Sequence, residues 1–172
     1  MFRGFYGEID IQNMKFPVLE YANAMFLNSH IAGTALSADF QSVTNAESMF
    51  YGCSSNKIQS VNLPNAVVAT NIFANCLSLE SVGSVSLPRC ADVSNMFYNC
   101  LHLKVIGELR LDVAKTVRGM FASCNNLKNI HICRMGPNAA DAGINVFVSC
   151  PLREIYGVQG EPFFTRAKLL NR

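Results

Sequence analysis

The sequence predicts a β-rich repeat solenoid of six to seven coils, about 24 residues to the coil. Three observations predict it. Phe2, Phe26, Phe50, Phe73, Phe97, Phe121 and Phe147 recur at intervals of 24, 24, 23, 24, 24 and 26 residues. The apolar positions between them also recur in register. Cys76, Leu79, Val82, Val85, Leu87, Cys90, Val93, Met96 and Phe97 return as Cys100, Leu103, Ile106, Leu109, Leu111, Ala114, Val117, Met120 and Phe121. Turn residues recur at fixed places in the same frame. A unit of this length cannot bury an apolar face alone, so successive copies must stack.

Within a unit the apolar spacing is mostly three, with one step of two at Val85–Leu87 and Leu109–Leu111. A sustained 3.6 period is absent, which argues against long amphipathic helices. The step of two predicts a short strand with both apolar residues turned inward. The spacing of three suits a tight coil that returns one side chain inward at each bend. Pro17, Pro64 and Pro88 follow the second inward residue of that step, where a missing backbone donor ends a strand. Asn28, Gly52, Asn75, Asn99, Ser123 and Ser149 stand two residues after the marker phenylalanine and predict a tight turn. Asn71, Asn95 and Asn145 stand two residues before it, and a side-chain bond to the adjoining coil is expected there.

The ends depart from the pattern. Glu8 and Ala32 replace the leucine of the central copies, and Ser29 replaces cysteine. The last copy carries an insertion at 136–143, and the pattern stops after Gly157. The expected division is a solenoid over 1–158 and a C-terminal cap over 159–172, with a short helix after Pro162. No comparable cap is evident at the start. That leaves three alternatives: residues 1–7 fold over the end, the chain continues, or a second copy docks there.

Seven cysteines is an odd number, and no CxxC pair is present. Five of them, Cys53, Cys76, Cys100, Cys124 and Cys150, share one column with Phe5 and Ser29. Cys90 aligns with Leu19, Val43, Ala66 and Ala114, and Cys133 with Met14, Ala38, Val61, Val85 and Leu109. These are core columns, so the thiols read as small buried hydrophobes rather than disulfides, metal ligands or nucleophiles.

Half the residues are apolar, only 15% are charged and the formal net charge is +2. That composition describes a folded domain, not a disordered chain. No run of like charges suggests a nucleic-acid surface. No segment reaches 18 uninterrupted apolar residues, and residues 1–8 hold no apolar stretch of signal-peptide length, so neither membrane insertion nor export is expected from this stretch.

The register Cys-x-x-Leu-x-x-Ile-x-x-Leu-x-Leu-Pro followed by Met-Phe-x-x-Cys resembles the BspA-like leucine-rich repeats of bacterial surface proteins. Residues 43–53 and 93–100 carry the resemblance best, and it covers nearly the whole chain. It implies a leucine-rich-repeat solenoid with a parallel sheet on one face. It also implies roles in adhesion or other protein contacts, and a cell-surface or secreted location.

No pattern for a reaction is present. His30, His102 and His131 fall in different columns, so register builds no metal cluster or Cys–His pair. Glu80 aligns with Lys104 and Lys128, and an ion pair between adjoining coils is expected. No column offers two acids in neighbouring coils, as glycoside hydrolysis requires. No cofactor is expected.

Function is therefore expected on the outward strand positions. Lys15, Asp39, Asn62, Ser86, Arg110 and Arg134 lie between the paired inward residues, one per coil, and at strand spacing would form a strip of roughly 25 Å. Tyr51 and Tyr98 form a second candidate beside the turn column, alternating with Ala74 and Ala122. The expected function is non-enzymatic binding of a protein partner, with a glycan as the other possible ligand. The competing expectations are a polysaccharide-active enzyme on a parallel β-helix and a spacer within a larger surface protein.

Overall fold

In a computed structural model the chain forms a parallel β-solenoid with a turn of about 24 residues. The structure describes residues 2–11, 14–32, 40–135, 145–152, 154–156 and 162–165. The central sheet is β3 (Lys57–Asn62), β4 (Ser81–Ser86), β5 (Val105–Leu111) and β6 (Asn129–Met135), parallel and in sequence order. Before it, β1 (Glu8–Asp10) pairs in parallel with β2 (His30–Ala32). These strands have three residues against six or seven in the centre, matching the weaker N-terminal copies. The segment 2–5 runs as a rung of the coil, its Phe2 amide donating to the Met25 carbonyl at 2.9 Å.

The strands are longer than the step of two suggests. β4 begins at Ser81, so the three-residue step from Val82 to Val85 lies inside it. Strict alternation would point those two valines to opposite faces. Both are buried, while Gly83 and Ser84 between them both lie toward the outside. Alternation breaks in both strands at the same place, and the pairing passes over one residue of each without a change of register, from Ile58↔Val82 to Ser60↔Ser84. β5 and β6 make the same step, from Ile106↔Ile130 to Glu108↔Ile132, so the irregularities stack. A Cβ on Gly83 would lie 2.2 Å from the Gln59 carbonyl oxygen, and one on Gly107 2.3 Å from that of Gly83. Close backbone approach is why glycine stands at both positions.

Proline sets where the strands stop. β3 and β4 end two residues before Pro64 and Pro88. β5 has Asp112 in the proline position and runs one residue further, to Leu111.

The Met-Phe segment makes an arc joined to its neighbours by backbone hydrogen bonds. Phe73 donates to the Met96 carbonyl and Phe97 to the Met120 carbonyl, each at 2.9 Å. Residues on both sides of the marker phenylalanine have positive φ. On one side they are Ala24, Ser48, Asn71, Asn95, Gly119 and Asn145; on the other Gly4, Asn28, Gly52, Asn75, Asn99, Ser123 and Ser149. The expected turn column is thus present, and the asparagines before the phenylalanine mark a second one. The side-chain ladder lies in the column after the phenylalanine: Asn99 Nδ2 donates to Asn75 Oδ1 at 2.6 Å. A second line of parallel bridges runs Tyr21–Asn45–Val68–Asp92–Thr116 along another side of the coil.

The core is continuous along the axis. Seven marker phenylalanines stack ring on ring, with centroids 5.3–5.9 Å apart and planes within 8°. Five of them, Phe26 to Phe121, are fully buried, each contributing about 1.5–3 kcal/mol relative to an exposed ring. Phe16 and Phe40 form a second stacked pair at 5.3 Å.

At the C-terminal end the described residues after Pro162 form a strand in place of the expected helix. Pro162–Thr165 is strand β8, antiparallel to β7 (Glu154–Tyr156). A terminal strand leaves a row of unpaired backbone groups, and an antiparallel partner satisfies them where a helix could not. The insertion at 136–143 and the expected 158/159 boundary lie outside the described residues.

Candidate functional site

The sheet brings four of the six expected site residues into one line. Asn62 pairs with Ser86, Ser86 with Arg110, and Arg110 with Arg134. Asn62, Arg110 and Arg134 are exposed and Ser86 is half-buried. Four strands make this line about 14 Å long. Lys15 is exposed but lies outside the strands, and Asp39 is outside the described residues.

Charge is concentrated at the β5–β6 end. Arg110 Nε donates to Asp112 Oδ2 at 2.7 Å, within its own coil. Arg134 carries no ion pair among the described residues. Along a flank, Lys104 Nζ meets Glu80 Oε2 at 2.8 Å, the pair the column alignment anticipates. The hydrogen bond from Lys104 and its charge hold the Glu80 carboxyl below its usual range. Both side chains are more than half exposed, so this bridge orients the surface more than it stabilises the fold.

The centre of the face is low. Ser60, Ser81, Gly83, Ser84, Ser86 and Gly107 are small, so the ladder leaves a flat floor between taller residues on β3 and β6. Sequence columns contained this signal, since Gly83 and Gly107 align with Gln59 and His131. Reading it required knowing where strand alternation breaks.

Cysteine plays a part the sequence did not reveal. All seven cysteines are buried and none forms a disulfide. Cys53, Cys76, Cys100 and Cys124 each donate Sγ–H to a phenylalanine carbonyl of the preceding coil, those of Phe26, Phe50, Phe73 and Phe97, at 3.0–3.1 Å. The Ser29 hydroxyl makes the equivalent bond to the Phe2 carbonyl. The column is therefore chosen for a small donor, not only for apolar volume. Burial raises the thiols of Cys53, Cys100 and Cys124 well above the ordinary value, that of Cys133 to about 12 and that of Cys90 to about 11. Groups held this far toward the neutral thiol are poor nucleophiles and poor metal ligands at neutral pH.

One side-chain contact involving a histidine runs along a column, from coil to coil. His30 Nδ1 lies 3.0 Å from Ser54 Oγ on the next coil. Neighbouring Ser55 is committed to structure, its hydroxyl donating to the Ile31 carbonyl and accepting from the Ile31 amide. Among the described residues no group of three or more His, Cys, Asp or Glu could hold a metal ion.

The family model for the BspA type leucine rich repeat region matches residues 2–89 and 58–160 in six copies. The chain belongs to that family and is a leucine-rich-repeat solenoid. No curated protein and no solved structure matches it.

Proposed function

We propose that this solenoid is a non-enzymatic binding module that engages a protein partner through the outward face of its central sheet. The supporting observation is the line Asn62–Ser86–Arg110–Arg134. It holds varied polar side chains at positions the core leaves unconstrained, on a ladder whose backbone is rigidly paired. Rigid presentation lowers the ordering cost of binding. The charge of Arg134, unpaired among the described residues, and the adjacent Arg110 favour an acidic patch on the partner.

Size sets a further condition. Four strands of about six residues expose roughly 400 Å² of sheet face, half of the ~800 Å² per partner in a stable interface. The partner must also touch flanking residues such as Lys57, Lys104 and Lys128, or bind transiently. Adhesion at a cell surface is the biological setting that fits such a module.

The test is charge reversal. A purified partner, first recovered by pull-down with the native chain, is titrated against Arg110→Glu and Arg134→Glu. The expected result is a loss of affinity of ~10-fold or more that shrinks at high salt. Binding indifferent to both changes removes the sheet face from consideration.

A further inference from the structure

Around the coil from the sheet, on the Met-Phe arc, a notch of about 390 Å³ opens between one coil and the second coil beyond it. Tyr98 stands on one side and Val148 on the other; Ala122 and Gly119 of the intervening coil form the floor. The walls are two coil spacings apart, ~10 Å between backbones, which leaves room for one ring. The depression exists because this coil has the smallest residues of both columns. Gly119 aligns with Asn95 and Asn145, and Ala122 with Tyr98 and Val148.

The repeat supplies an internal comparison. At Tyr51 the hydroxyl accepts from Asn75 Nδ2, one turn further on. At Tyr98 the position equivalent to Asn75 is Ser123, whose side chain is shorter. Tyr98 and Ser123 make no side-chain hydrogen bond among the described residues, and Arg118, exposed at the same notch, has no ion pair among them. A phenol, a hydroxyl and a guanidinium, each without a side-chain partner among the described residues, thus surround one slot, with the amides of Asn95 and Asn145 beside them.

We infer that this notch binds a single acidic sugar residue, a pyranose bearing a carboxylate. The guanidinium of Arg118 pairs with the carboxylate. Tyr98 offers an aromatic face to the ring's C–H side, and the amides and hydroxyls meet the sugar hydroxyls. A peptide fits less well. The backbone donors of the arc are committed to the next coil, as in Asn99 to the Ala122 carbonyl and Ser123 to the Val148 carbonyl, so an extended chain finds no ladder to join. The floor of Gly119 and Ala122 offers no deep apolar pocket for a side chain.

The test is an NMR titration of the isotopically labelled chain with methyl glucuronide, methyl glucoside and a glutamate-rich peptide. Saturable shifts confined to the amides of Gly119, Ala122 and Ser123 are expected with the glucuronide alone. Arg118→Gln should weaken them ~10-fold, the loss of one charge-assisted contact. Ala122→Leu should abolish them by filling the slot; Leu27 occupies the same column, so the arc accommodates that side chain. Arg110→Glu, on the sheet, should change nothing. Absence of saturable shifts, equal response to the neutral glucoside, response to the peptide in place of the sugar, or full binding by Arg118→Gln each overturns the assignment.

Discussion

The thiol of Cys100 donates to the backbone carbonyl of Phe73 on the preceding coil at 3.1 Å. That carbonyl also accepts the amide of Cys76 at 3.3 Å, so the thiol supplies its second bond. Replacement therefore tests donor and volume separately. Cys100→Ser keeps a donor, as Ser29 does naturally, and should stay within about 1 kcal/mol of the parent. Cys100→Ala removes the donor and leaves a small cavity, at a cost of about 1–3 kcal/mol. Urea unfolding of the two variants is the measurement. Equal stability would reduce the column to plain apolar packing.

The same burial makes stability fall in alkali. The folded thiol pKa values are raised from 9.0, to about 11 for Cys90, about 12 for Cys133 and further for Cys53, Cys100 and Cys124. Above pH 9 the unfolded chain releases these protons and the folded chain keeps them, so unfolding gains free energy as pH rises. The contribution is fully present below the unfolded value and is lost on the way up to the folded ones. Each thiol adds a slope approaching about 1.4 kcal/mol per pH unit, so five of them remove on the order of 5 kcal/mol between pH 9 and pH 10. Chemical unfolding at a series of pH values checks this. Cys133→Val, a residue its column already holds at Val61 and Val85, should flatten the slope by one thiol's share.

Gly107, like Gly83, is closely approached by the backbone of the preceding strand. A methyl group there would sit 2.3 Å from the Gly83 carbonyl oxygen, and backbone rather than a flexible side chain would have to move. Gly107→Ala should cost about 1–3 kcal/mol. Because the shifted strand carries Arg110, it should also weaken partner binding without removing any charge. A thermal melt of the variant, paired with partner titration, separates these effects. An unchanged melting temperature would mean the ladder is less tightly drawn than its geometry indicates.

These positions also show how far the sequence could be read. The phenylalanine period, the cysteine column and the turn after the phenylalanine were legible because a repeat prints each core contact several times. Arg110 and Arg134 could be placed side by side on the same basis. The stacked breaks in strand alternation were not legible. A step of three between Val82 and Val85 fits a bend as well as an irregular strand, and only the extent of β4 distinguishes them. The thiol–carbonyl bonds were hidden because cysteine in an apolar column looks the same whether or not it donates. The arc notch depends on differences between coils, Ser123 against Asn75 and Gly119 against Asn95, which averaging over copies erases. The hairpin of β7 and β8 lies beyond the last copy, where no period guides the reading.

Ala24 offers a stabilising change. It holds φ near 50°, in a column where Asn71, Asn95 and Asn145 adopt the same left-handed conformation. A Cβ next to the following carbonyl costs an ordinary residue about 1–2 kcal/mol there, and asparagine bears it best among residues with a side chain. Glycine would also relieve the strain but would give back about 0.5–1 kcal/mol through the freedom it adds to the unfolded chain. Ala24→Asn should therefore raise stability by about 0.5–1 kcal/mol, and by more than Ala24→Gly. Because the residue sits in a short-stranded N-terminal coil, the gain should show as slower amide exchange in β1 and β2 before it shows in the central sheet. Exchange rates unchanged in β1 and β2 but slowed in β3 to β6 would contradict this, since the strain would then not be local to the coil that carries it.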